Sequence, residues 1–260
     1  MSVSRPKLVG ASALLVALVG AVVGLAFALS SSSSAHAASS SIPAAKASVA
    51  IDNLIDLSQT ASGPPNSSNS TGWVDVLKTQ IKTSSQKDLV FDAALQCGIV
   101  TDTTVKSGGG TQSASSARGT VSVRVLVDGK PADPTSSIDS TGTTADGVVY
   151  CDRIQTLAAK FAGLNCTADA TTGAVTCSDP EELRLILRTL DASSFNFAMA
   201  DVGVGVHTVT VQANAAAAVN FDDDASGGAL AGAEAFTGAG SLVVDQVRLI
   251  KGQDITIDLQ

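Results

Sequence analysis

Apolar and polar residues alternate with a period of two along several stretches of this chain, and that spacing predicts β-strands. Val121, Val123, Val125 and Val127 alternate with Ser122, Arg124 and Leu126, and Asp128-Gly129 with Pro131 ends the run. In Leu89–Cys97 the positions Leu89, Phe91, Ala93, Leu95 and Cys97 are apolar while Asp92 and Gln96 face the other way, so Cys97 points inward. Lys46–Leu57 fits a first strand or a short amphipathic segment, and Trp73–Lys82 fits a short helix or a strand. A strand is predicted at Val148–Cys151, with Gln155–Leu164 either continuing it or forming a helix. Phe195–Ala200 and Val206–Ala213 read as paired strands around Asp201–Gly205, and Leu242–Ile250 and Ile255–Leu259 complete the set. Ser58–Gly72, with Pro64-Pro65, and Thr101–Gly119, with three consecutive glycines, read as loops. One helix is signalled: Asp179 caps, Pro180 suits the first position, Glu181 and Glu182 complement the dipole, and Leu183, Ile186, Leu187 and Leu190 share a face. Many short strands, Gly-rich loops and one helix give the expected fold class: mainly β, a single jelly-roll-like β-sandwich with one short α-helix.

The N-terminus follows a different pattern. Arg5 and Lys7 precede an uncharged, mostly apolar run from Leu8 to Leu29, then a serine tract and Ala35-His36-Ala37. That order is a basic region, an apolar region and a small-x-small cleavage signal. The run is longer than the roughly 7–15 residues of a typical secretory signal. It also reaches the roughly 20 needed to cross a bilayer as a leader helix. Residues 1–37 therefore read as a signal peptide or an N-terminal membrane anchor, 38–46 as a Ser/Ala-rich spacer and 47–260 as the β-domain. Either fate puts the bulk of the chain outside, secreted or on the extracellular face, because the only basic charges before Lys46 lie at the N-terminal side.

Export changes the meaning of the cysteines. Cys97, Cys151, Cys166 and Cys177 all follow the leader, and an even number in an oxidising compartment reads as two disulfides. Three connectivities are open. A hairpin centred on Thr171-Thr172 would set Cys166 opposite Cys177, leaving Cys97 with Cys151; no Cys-x-x-Cys spacing favours zinc. The formal net charge is −8, which disfavours nucleic acid as a partner. Aromatic residues make up 3% of the chain, with Trp73 the one Trp and Tyr150 the one Tyr, a poor supply for sugar or base stacking.

The C-terminal third, Val204-Gly-Val-His-Thr-Val-Thr-Val211, then a Gly/Ala-rich loop, then Gly240-Ser-Leu-Val-Val-Asp-Gln-Val-Arg-Leu249, resembles the ending of exported β-sandwich modules. It is similar to jelly-roll carbohydrate-binding modules and to immunoglobulin-like surface domains. The resemblance implies the fold more than a ligand.

Candidate chemistry is sparse. His207, the one histidine beyond the leader, reads as a structural histidine hydrogen-bonded near a turn; its catalytic alternative would need a cleft, an acid and a serine. Ser84-x-x-Lys87 has the spacing of a serine–lysine pair without its companion elements. Asp222, Asp223 and Asp224 concentrate carboxylates in a loop that suits calcium or simple solvation. No catalytic residue is assigned and no cofactor is expected, calcium aside. The expected function is an exported, non-enzymatic cell-surface or secreted protein with a structural or interaction role, its partner a surface protein or a glycan. The alternative is a carbohydrate-binding module, which Trp73 and Tyr150 exposed on one face would favour.

Overall fold

The computed structural model describes residues 45–106, 112–160, 166–177, 182–221 and 229–249. The leader, the Asp222–Asp224 loop and the strand expected at Ile255–Leu259 lie outside them. The protein is mainly β, built of antiparallel sheets consistent with a β-sandwich. Strands are numbered in chain order. The first sheet sets β1 (Ala47–Asp52), β15 (Leu230–Val247), β5 (Lys87–Lys106) and β13 (Glu182–Val202) side by side, and β2 (Ser58–Ala61) also pairs with β15. The second sets β10 (Val148–Lys160), β6 (Gln112–Val127) and β14 (Gly205–Phe221) side by side. The far edge of β14 takes both β3 (Ser67–Ser70) and β4 (Val74–Thr83), and β7 (Lys130–Pro131) turns back on β6. Two small hairpins stand apart, β8 (Ser136–Ile138) with β9 (Thr144–Asp146) and β11 (Cys166–Ala168) with β12 (Val175–Cys177).

The alternating positions meet between the sheets. Leu89, Phe91 and Leu95 of β5 and Leu242 and Val244 of β15 pack against Val121–Val125 of β6 and Val209 and Val211 of β14. Each such side chain contributes roughly 1.5–3 kcal/mol on burial. Toward the other end the core narrows to Ala61, Ala117, Ala217, Val219 and Ala233. Small residues let the sheets approach there, and Gly119 completes the fit: a Cβ on it would lie 2.7 Å from Ile99 Cγ2 and 3.1 Å from the Glu234 carbonyl.

The structure corrects four expectations. Among the described residues there is no helix, and the segment expected to be helical from Asp179 enters β13 at Glu182. Two of its 3.6-period residues, Leu183 and Leu187, also fall with Leu185 in a period-two row, and nineteen residues of the strand pair with β5. Pairing satisfies the exposed peptide groups of Val90–Lys106, a tertiary gain that outweighs local helix preference. The segment Thr101–Gly119, expected to be a loop, is mostly strand, paired on β13, β15 and β10; its inward positions Thr101, Thr103, Ser113 and Ser115 are polar yet buried, which hid the alternation. Gln155 of β10 ties this layer together, accepting from Thr101 Oγ1 (2.7 Å) and donating to Thr103 Oγ1 (2.5 Å) and the Leu185 carbonyl (2.7 Å). Ser58–Gly72 contains β2 and β3, polar strands held by the long edges of β15 and β14. Phe195–Ala200 and Val206–Ala213 do not form a hairpin: they lie in different sheets, and the chain crosses between them at Asp201, where φ is 58°.

Three open readings resolve. Trp73–Lys82 is largely β4, Gln155 continues β10 to Lys160, and Lys46–Leu57 contains β1. Cys97 and Cys151 form a disulfide, Cα to Cα 6.3 Å, tying β5 to β10 across the sheets. Cys166 and Cys177 are register partners in the β11–β12 hairpin. No helix among the described residues is long and apolar enough to cross a membrane.

Candidate functional site

Three places gather chemistry-bearing side chains. The first is the outer face of the second sheet. Arg118 of β6 donates through Nε to Asp152 Oδ1 (3.1 Å) and through Nη2 to Asp152 Oδ2 and Asp139 Oδ2 (2.8 Å each). Thr120 Oγ1 and the Ser140 amide also donate to Asp152. Partial burial pushes the Asp152 carboxyl up, but the bonds from Arg118, Ser140 and Thr120 outweigh it and hold it below the usual carboxylate range. Asp139 is held low chiefly by the Thr141 hydroxyl, then by Arg118. A groove of about 360 Å³ opens beside Arg118 and Thr120, floored by Ala216–Ala218.

Further along this face, the Arg124 guanidinium sits 4.3 Å from the Trp73 ring centroid. Trp73 Nε1 donates to Asp146 (3.0 Å), Arg124 Nε to Gln212 (2.8 Å) and Gln212 Nε2 to Asp75 (2.6 Å). Gly147, at φ 72°, is required beneath Trp73, whose ring lies 2.7 Å from where a Cβ would stand. Tyr150 is elsewhere: its hydroxyl reaches between the sheets to the Ala93 carbonyl (2.5 Å), and burial pushes its pKa up. The structure does not bring Trp73 and Tyr150 onto one face, and one side of Trp73 carries Arg124.

The second place surrounds His207. Its Nδ1 lies 2.7 Å from Asp128 Oδ2, and its Nε2 lies 2.9 Å from the Gly203 carbonyl and 3.2 Å from Thr83 Oγ1. An acid, an imidazole and a hydroxyl in line resemble a nucleophilic relay. Here, however, Thr83 is fully buried and its hydroxyl donates to the Gly203 carbonyl at 2.5 Å. Asp128, at φ 50° in the β6–β7 turn, also accepts from the Thr208 amide (2.8 Å). Partial burial raises the Asp128 carboxyl, and the His207 and Thr208 bonds overcome that and set it low. The cluster clamps the β6–β7 turn to the ends of β4 and β14. Ser84 and Lys87 flank the neighbouring β4–β5 turn.

The third place is the edge strand β13. Leu183, Leu185, Ile186, Leu187, Leu190 and Phe195 are all exposed, between 39% and 59%. Both faces of the strand therefore offer large apolar side chains, an arrangement that single surface residues do not produce. Among the described residues no group of three or more His, Cys, Asp or Glu is arranged to hold a metal ion. The proposed calcium ligands Asp222, Asp223 and Asp224 lie outside the described residues.

Sequence reading missed the Arg118 and Arg124 networks because period-two patterning places a side chain on a face without naming its cross-strand partner. It missed the β13 edge because the same leucines fit a helix.

No protein-family model matches the chain, and no curated protein matches it. Solved structures of infectious bursal disease virus, Gt and Gx strains, align at 8% identity each, with TM-scores of 0.13 and 0.11. The alignments cover 84% and 77% of this chain, which spans 43% and 40% of those chains. At these scores the likeness carries no argument about function.

Proposed function

We propose that this is an exported, non-enzymatic protein of the cell surface or medium, with a structural or interaction role exercised through the edge of β13. The observation that carries the reading is the run of six large exposed apolar side chains on that edge. Burying such a row in a partner releases water at little ordering cost, because the strand is already formed. The polar clusters, by contrast, are satisfied within the chain. Arg118 is committed to two carboxylates, and the Thr83 hydroxyl beside His207 is turned to a carbonyl.

The fold we infer is a jelly roll. Eight strands have six residues or more: β1, β4, β5, β6, β10, β13, β14 and β15. Renumbered one to eight, their order is 1-8-3-6 in one sheet and 5-4-7-2 in the other, the double Greek-key arrangement of that fold. Export follows from the leader, and the Cys97–Cys151 disulfide suits an oxidising exterior. The register of Cys166 and Cys177 supports a second disulfide in the β11–β12 hairpin.

The test places a thiol on the edge. A Leu185→Cys variant displayed on intact producing cells is treated with a membrane-impermeant maleimide, beside the dilute purified chain and an Ile51→Cys control. Shielding of position 185 on cells, with Ile51→Cys labelled in both settings, supports the reading. Equal labelling of position 185 in both settings overturns it.

A further inference from the structure

We infer that two copies of this chain pair antiparallel along the outer edge of β13, which carries no partner strand from Glu182 to Asn196 among the described residues, about a twofold axis at Leu185, so that the first sheet runs on through both. The inference rests on the reading of β13 as the interaction edge and names its partner.

The direction of the peptide groups is fixed first. Ala198 bonds through both N–H and C=O to Asp133, at 2.8 and 3.0 Å, so these groups point away from β5. The β13–β5 register has no shift from Glu182 to Met199. By alternation, the peptide groups of the even-numbered residues Arg184, Ile186, Arg188 and Leu190 all face outward. Glu182–Asn196 contains no proline, lysine or bulge, the devices that usually blunt an edge.

The side chains then select one register. A twofold axis normal to the sheet keeps each face on its own side, so a residue meets only a partner of the same parity. Centring the axis on Arg184, Ile186 or Arg188 sets arginine opposite arginine, which is unfavourable. Centring it on Leu187 sets Leu183 opposite Asp191 and forms no ion pair. Centring it on Leu185 sets Glu182 opposite Arg188 twice, Leu183 opposite Leu187 twice and Leu185 opposite itself. In that register Arg184 and Ile186 exchange both N–H···O=C bonds with the other copy. One face becomes a leucine row and the other carries the two ion pairs. Arg188 is available for this role: it is exposed and makes no ion pair or hydrogen bond among the described residues. Glu182 bonds Lys106 at 3.2 Å with its side chain still 46% exposed, leaving room for a second cation.

The experiment is charge exchange across the axis, on the full chain in mild detergent. In the Leu185→Cys background the two thiols meet at a non-hydrogen-bonded pair, where Cα atoms approach to about 4.5 Å, within disulfide range. Mild oxidation is expected to yield a covalent dimer. Adding Arg188→Glu should cut its yield roughly tenfold, because two attractive pairs become two repulsive ones. Adding Glu182→Arg to that variant should restore it. Circular dichroism on each variant reads whether the fold is retained. A dimer insensitive to Arg188→Glu, or no rescue in the double variant, overturns the register. Shielding of position 185 on cells without any dimer of purified copies overturns the second-copy partner and leaves the edge reading standing. Labelling of position 185 on cells overturns both.

Discussion

Asp152 shows what a single residue contributes here. It accepts four hydrogen bonds, two of them from Arg118, while its side chain is only 6% exposed. Removing it leaves Arg118 with the Asp139 bond alone and takes the acceptor from Thr120 Oγ1 and the Ser140 amide, so Asp152→Ala should lower stability by roughly 1–3 kcal/mol in urea unfolding. The sign of the pH effect follows from the carboxyls Asp128, Asp139 and Asp152, all held below their unfolded values near 3.8. The unfolded chain binds protons first as pH falls, so the stability they supply is complete above about pH 4 and is lost as pH drops through the folded values. Urea midpoints measured from pH 6 to pH 2 should fall along that course, and the fall should be shallower in Asp152→Asn. His207 belongs to the same scale. Its clamp joins three chain segments, and His207→Ala should cost roughly 1–2 kcal/mol in the same assay.

At the scale of elements, legibility in the sequence depended on which residues face inward. Leu89–Cys97 and Val121–Val127 were readable because their inward positions are all apolar while the outward ones include Asp92, Gln96, Ser122 and Arg124, and their buried face is the one expected. Thr101, Thr103, Ser113 and Ser115 face inward too, yet a row of hydroxyls reads as a loop. β13 defeated the reading differently. It exposes apolar residues on both faces, so its leucines satisfy two periodicities at once, and only the presence of β5 beside it decides. The Asp128-Gly129 turn was legible from its residue types, at φ values of 50° and 80° that suit a tight hairpin. The disulfide between β5 and β10 is the element-scale brace. It closes a separation of 54 residues, for which chain entropy gives roughly 4 kcal/mol. Replacing both Cys97 and Cys151 by alanine should lower the thermal midpoint accordingly. Gly119→Val should destabilise by roughly 1–3 kcal/mol through overpacking against Ile99.

At the scale of the whole molecule, one edge of the first sheet differs from the other. β1 is tied to the second sheet where Ser48 Oγ meets Thr79 Oγ1 at 2.5 Å, whereas among the described residues no strand pairs with the outer edge of β13 from Glu182 to Asn196, its large apolar side chains are exposed, and of its outward amides Ala192 donates to Asp191 Oδ1. That asymmetry, rather than any cleft, is what the proposed interaction role rests on. The measurement that tests it most directly is residue-resolved amide hydrogen exchange over β13 in dilute and concentrated full chain. In dilute chain, odd-numbered amides from Leu183 to Phe195 should be protected and the even-numbered ones from Arg184 to Leu190 should exchange fast. In concentrated chain, Arg184, Ile186 and Arg188 should become protected as well. An unbroken protected block in dilute chain, or even-numbered amides that stay fast at every concentration, would contradict the account.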